Sequence, residues 1–237
     1  IRDALAAAAA GDTVTVHGGV YREGNLSVDK PVTLVGVGWP RLDGEDRVEV
    51  LTITASHVTV RGFEIVRGGA GSLHDLAGIK VANASHVTVE DNRILGCSFG
   101  LYFSKARDGV ARRNEIRGTP VGEQENGNGI HAWSCERLVF AANTVDRHRD
   151  GIYLEFVTDS HIERNHVTGN LRYGLHFMSA HRNVYRENHF IRNGAGVAVM
   201  YSREVTMEAN RFSHSWGSAA YGLLLKDLTD SRIRGNV

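Results

Sequence analysis

Cysteine, proline and net charge are all scarce in this chain. Two cysteines in 237 residues, Cys97 and Cys135, are too few to define a disulfide framework. They leave open either one pair in an oxidising compartment or two buried thiols. Three prolines against 27 glycines point to many tight bends rather than rigid linkers. Lys+Arg and Asp+Glu are 27 each, for a formal net charge of zero. No basic field exists to attract phosphate backbones, which argues against general nucleic-acid binding. No apolar run approaches the roughly 18 residues of a membrane-spanning helix. Hydrophobic content of 42% is enough to fill a core, which excludes disorder. The chain opens at Ile1 without a methionine, which fits a removed leader or a trimmed start.

What is abundant is repetition. Asparagine recurs before a short apolar pair at Asn92, Asn114, Asn143, Asn165, Asn188, Asn210 and Asn236, with gaps of 22, 29, 22, 23, 22 and 26. Glycine opens an alternating strand at Gly78, Gly100, Gly129, Gly151, Gly174, Gly196 and Gly222, with the same succession of gaps. Two columns sharing one spacing define a coil of about 22 residues. The longer gaps are surface insertions around GTPVGEQENGN and WGSAAY. Each coil carries three short strands, exemplified by GIYL, DSHIE and NHV. Strands this short and this regular, with no helical segment between them, exclude βαβ units. The expected fold is all-β: a right-handed parallel β-helix forming one domain over residues 1–237.

IRDALAAAAA is the one convincing helix former. It is expected to cap the N-terminal end over about residues 1–12, where strand edges would otherwise stand unpaired. SRIRGNV stops in mid-coil, so further C-terminal coils are expected in the natural protein. The asparagines are expected to occupy left-handed turn positions and to bond along the axis. The glycines are expected to supply tight bends between coils.

Alternation sorts the first strand of each coil into two faces. Positions two and four after the glycine point inward. Position three points outward: Lys80, Tyr102, His131, Tyr153, His176, Ala198 and Leu224. Position five does the same: Ala82, Ser104, Trp133, Glu155, Met178, Met200 and Lys226. An exposed aromatic and thioether ladder marks a binding face, with Tyr102, His131, Trp133, Tyr153, Glu155 and Tyr201 as candidate partner contacts. His176 and Met178 leave one strand on the same side, about 6–7 Å apart, and Met200 repeats the Met178 position one coil on, about 4.8 Å away. One imidazole and two thioethers suit a soft ion such as Cu(I), or else an adaptable interface. Among the remaining histidines, His57, His86 and His161 follow serine and read as one structural column.

An enzyme acting on glycosidic bonds would need two carboxyl groups roughly 5–10 Å apart. The outward ladders offer Glu155, with Asp150 as a partner only if the bend before Gly151 brings it round. Arg147, Arg149 and Arg172 lie nearby in turns. No catalytic constellation is found, so the non-enzyme reading leads, with glycan binding or processing as the alternative.

The runs NGNGIHAWSCERLVFAANTV, RDGIYLEFVTDSHIERNHVTGNLRYGLHFMSA and GAGVAVMYSREVTMEANRF, with the opening GDTVTVHGGVYREGNLSVDKPVTLVGVG, resemble the NosD family along essentially the whole chain. The resemblance implies a periplasmic β-helix accessory protein in maturation of nitrous oxide reductase, assembling its copper–sulfur centre without catalysis of its own. It also implies three partners: the reductase, an ABC transporter with ATPase and permease subunits, and a copper-chaperone lipoprotein. The coils that would meet the transporter are absent from this sequence.

Overall fold

A computed structural model describes residues 1–71, 75–119, 122, 127–218 and 220–237. The three strands of each coil stack on their counterparts in strictly parallel register. They form sheets of nine, ten and nine strands among the described residues. The first-strand (front) sheet runs from Leu26–Val28 through Ile152–Glu155 and Tyr173–Met178 to Leu223–Thr229. The result is the expected right-handed solenoid, the hand that parallel crossovers take. Much of the insertion at 118–128 and Ala219 of the second insertion lie outside the described residues.

Positions two and four of the front strands fill the interior. Leu101, Phe103, Ile152, Leu154, Leu175, Phe177, Val197 and Val199 are all fully buried. The α-helix is shorter than expected, Arg2–Ala7. Its Leu5 is buried against the end of the core. Lys30 Nζ donates to the carbonyls of Leu5, Ala6 and Ala8 at 3.3, 2.6 and 2.9 Å, closing the helix where the alanine run continues.

The asparagine column is a ladder along the axis. Each Nδ2 donates to the next Oδ1, at 3.0 Å from Asn143 to Asn165 and 2.9 Å from Asn165 to Asn188. The same Oδ1 also accepts the preceding asparagine's backbone N–H. The left-handed angle falls one residue earlier than expected, on Asp91, Arg113, Ala142, Arg164, Glu187 and Ala209, at φ 53–56°. The asparagine is selected for its amide, not for its backbone. The glycine column also differs from expectation: none of its members is among the positive-φ residues. A Cβ on Gly151 would lie 2.7 Å from the Gly174 carbonyl oxygen and 2.2 Å from Val167 Cγ1, so glycine is required by close approach of coils.

Two smaller expectations are revised. His57 and His86 do stack, with ring centroids 4.8 Å apart. His161, however, lies within strand His161–Glu163, paired with Val139 and Val184, while the turn position of the first two passes to Asp108, Arg137, Asp159 and Arg182. Cys97 and Cys135 are both free and buried. Burial pushes the Cys97 thiol up to about 12 and the Cys135 thiol to about 11, so both behave as small core residues.

Candidate functional site

The outward ladders form in the expected register. Tyr102, His131, Tyr153, His176 and Ala198 are consecutive neighbours across the front sheet, and so are Trp133, Glu155, Met178, Met200 and Lys226. Parallel pairing brings each about 4.8 Å from the next. The position-three rings touch in sequence. Tyr102 meets His131 edge-on at 4.6 Å, His131 meets Tyr153 edge-on at 5.0 Å, and Tyr153 lies flat on His176 at 4.6 Å.

This ladder is not exposed, contrary to expectation. Tyr102, His131, Tyr153 and His176 are only 7–9% accessible. The rings cover one another, and the opening residues of two front strands lean over them: Phe99 beside Tyr102 and His131, and Tyr173 beside His176. The accessible strip is two residues further along, at position five. Trp133, Glu155, Met178 and Met200 are half-buried there, and Tyr201 is exposed with Lys226 over its ring. Sequence reasoning missed Phe156, which is 50% exposed at a left-handed turn position, φ 53°. The signal was present: its column otherwise carries Asn83, Lys105, Ser134, Ser179, Tyr201 and Asp227.

The electrostatics beneath the rings are set by Asp150, whose carboxylate is completely buried. Arg172 grips it with two hydrogen bonds, Nε to Oδ1 at 2.9 Å and Nη2 to Oδ2 at 2.6 Å. His176 Nδ1 stands 3.6 Å from the same Oδ2 and 3.5 Å from Arg172 Nη2. Burial opposes ionisation, but His176 and Arg172 outweigh it and hold the carboxyl down at about 2. Asp150 is therefore ionised near neutrality and is not a proton donor there. This cluster was legible in principle, since Asp150 and Arg172 are one 22-residue coil apart. Asp91 with Arg113 and Glu90 with Arg112 repeat that spacing.

His131 is held in its neutral form. Burial, then the nearby Arg149 charge, brings it down to about 4. Asn128 Nδ2 donates to its Nδ1 at 2.8 Å, which places the ring proton on Nε2. His176 differs: its Nε2 is buried and has no hydrogen-bond partner. An imidazole with one nitrogen backed by a carboxylate and the other unengaged has the arrangement of a metal-ligating histidine. His176 and Met178 share strand Tyr173–Met178, and Met200 pairs in register with Met178. Among the described residues, no group of three or more His, Cys, Asp or Glu side chains is placed to hold a metal, so any site here depends on thioether sulfur.

Residues 112–237, just over half of the chain, match the family described as periplasmic copper-binding protein (NosD). The chain belongs to the NosD family. Two NosD relatives carry the name probable ABC transporter binding protein. The one from Pseudomonas aeruginosa is 32% identical over 130 residues and the one from Stutzerimonas stutzeri is 31% identical over 131. Each alignment takes in 54% of this chain and 30% of the relative, so the matched part of this NosD chain spans under a third of those proteins. Among solved structures, the catalytic unit of a GH87 α-1,3-glucanase from Streptomyces thermodiastaticus superposes with a TM-score of 0.70 at 19% identity, over 97% of this chain and 52% of that one. At that identity the likeness is one of fold. No helix among the described residues is long and apolar enough to cross a membrane.

Proposed function

We propose that this NosD chain is a periplasmic docking platform whose front face holds Cu(I) in transit during assembly of the copper–sulfur centre of nitrous oxide reductase. His176, Met178 and Met200 are the ligands. Cu(I) is cargo here rather than a resident cofactor, and two thioethers with one imidazole are soft donors that suit it. One observation carries the reading. The His176 Nε2 is buried without a partner while its Nδ1 is backed by Asp150, beside two methionines in register.

The chain's own residues divide the work. Asp150 and Arg172 fix the His176 ring from below, and the Tyr153 face lying flat on it restricts rotation. Met178 and Met200 are unbranched and adaptable, so they can close on an ion and release it again. Trp133, Phe156 and Tyr201 are the accessible aromatic anchors for a partner surface. The partners in this reading are the reductase, a copper-chaperone lipoprotein and an ABC transporter with ATPase and permease subunits. The transporter name borne by the relatives supports the last of these.

The test is an anaerobic Cu(I) titration against a chromophoric competitor. It compares the wild type with the triple variant His176→Ala, Met178→Ala, Met200→Ala. Stoichiometric binding lost in the variant, with thermal unfolding little changed, is the expected result. Binding indifferent to the three changes would remove the metal from this face and leave a docking surface alone.

A further inference from the structure

We infer that a hollow at the edge of the front sheet is a binding site for a single neutral pyranose ring. It lies where three successive coils turn into their front strands, and it encloses about 230 Å³. Its floor is Gly194, Ala195 and Gly217 and its walls include Arg172, Tyr173, Trp216 and Tyr221. Backbone approach keeps the floor bare. A Cβ on Gly194 would lie 2.3 Å from the Leu171 carbonyl oxygen, and one on Gly217 would lie 2.7 Å from that of Gly194.

The walls are fixed as well as aromatic. The Trp216 indole N–H donates to the Arg192 carbonyl at 2.9 Å, yet the residue is 58% exposed. The ring is therefore anchored at its polar edge with much of its face left to solvent. Tyr173 is held between the Arg172 guanidinium, 5.0 Å from its centroid, and the His176 ring, and Tyr221 lines the same hollow. The hollow thus combines an anchored, largely open indole with two phenols.

The chemistry of the walls selects the ligand. Arg172 already engages Nε and Nη2 with the buried Asp150, so its two-pronged edge is not open to a phosphate or carboxylate in the hollow. Purely apolar ligands would cover the Tyr173 and Tyr221 hydroxyls without offering them a partner. A sugar ring meets both demands, with C–H faces for indole and phenol rings and hydroxyls for phenol and carbonyl oxygens. The volume admits one ring, such as the end or one residue of a longer glycan.

Saturation-transfer NMR on the whole chain tests this. Glucose, galactose, N-acetylglucosamine and their β-1,4 dimers are the probes, each against wild type, Trp216→Ala and Tyr221→Phe. At least one sugar should bind saturably, with a dissociation constant of about 1–10 mM as fits a small ligand. Trp216→Ala should weaken it about tenfold or more without lowering the melting temperature, and Tyr221→Phe should weaken it less. A dimer that binds no better than its monomer indicates recognition of a free ring, and a tighter dimer indicates a chain. The inference is overturned if no sugar gives saturable transfer up to roughly 50 mM, or if Trp216→Ala binds as well as wild type. Transfer to N-acetyltryptophanamide with the sugars silent would also overturn it, making the hollow an anchor pocket for a protein side chain. The copper titration reports on different residues, so the two readings fail separately.

Discussion

Two columns run along much of this solenoid and obey opposite rules. On the asparagine corner every rung from Asn92 to Asn236 is the same residue, and from Asn92 to Asn210 each amide bonds to the next coil and to a strand carbonyl. On the front face no two neighbouring rungs from Lys80 to Ala198 are alike, and a buried nitrogen is left unpartnered at His176. A position repeated without change is answering the needs of the fold, which are identical in each coil. A position that changes at every rung, over a backbone that does not, is answering something outside the fold.

The sharpest way to break this contrast is to remove one rung of the uniform column. Asn165→Ala takes away donors to Phe140 O and Asn188 Oδ1 and the acceptor for two Asn143 N–H groups. Leaving buried partners unsatisfied should cost about 4 kcal/mol in urea unfolding, and a loss below about 1 kcal/mol would deny the ladder its structural role.

Acid should distinguish the two columns next, because the asparagines do not titrate. Burial brings His131 and His148 down to about 4. Below pH 6.5 the unfolded chain takes up protons that the folded chain refuses until about pH 4, so stability falls with falling pH across that window. The expected loss is roughly 3 kcal/mol for each imidazole. Asp150, at about 2 when folded, adds a further loss in the same direction at lower pH. Stability that stays flat from pH 7 to 4 would contradict the neutral burial of these imidazoles.

Asp150→Asn probes the support under the front ladder. It leaves the Arg172 charge without its buried counterion, and since Arg172 is one-third exposed the cost should be about 2 kcal/mol by thermal or chemical unfolding. At the small end, Met178→Leu and Met200→Leu keep the volume of half-buried side chains and should shift stability by less than about 0.5 kcal/mol. Each should nonetheless weaken Cu(I) in the competitor titration, whereas Asn165→Ala should not change its ligand set.

How far the fold was legible follows from the same contrast. The coil period, the inward pairs such as Ile152 and Leu154, and the register of Tyr153 with His176 were all readable, because periodicity survives in a linear sequence. The left-handed residue before each asparagine was not, since Asp91, Ala142 and Glu187 share no side-chain type and only the backbone is common to them. The roof over the position-three rings was not readable either. Alternation says which side of a sheet a residue leaves, not that Phe99 and Tyr173 lean across from the strand openings. The second asparagine ladder, Asn170 to Asn193 at 2.8 Å, went unseen because only two rungs repeat. Arg172 was seen as a turn residue, and its partner Asp150 would have followed from asking which opposite charges stand one coil apart.

The central claim, that the irregular front ladder carries soft-metal chemistry, is tested most directly by X-ray absorption at the copper edge on the anaerobically Cu(I)-loaded chain. The account predicts one nitrogen and two sulfur scatterers, with one sulfur lost in Met200→Leu and the nitrogen lost in His176→Ala. A shell of nitrogen and oxygen alone, or one unchanged by both substitutions, would contradict it.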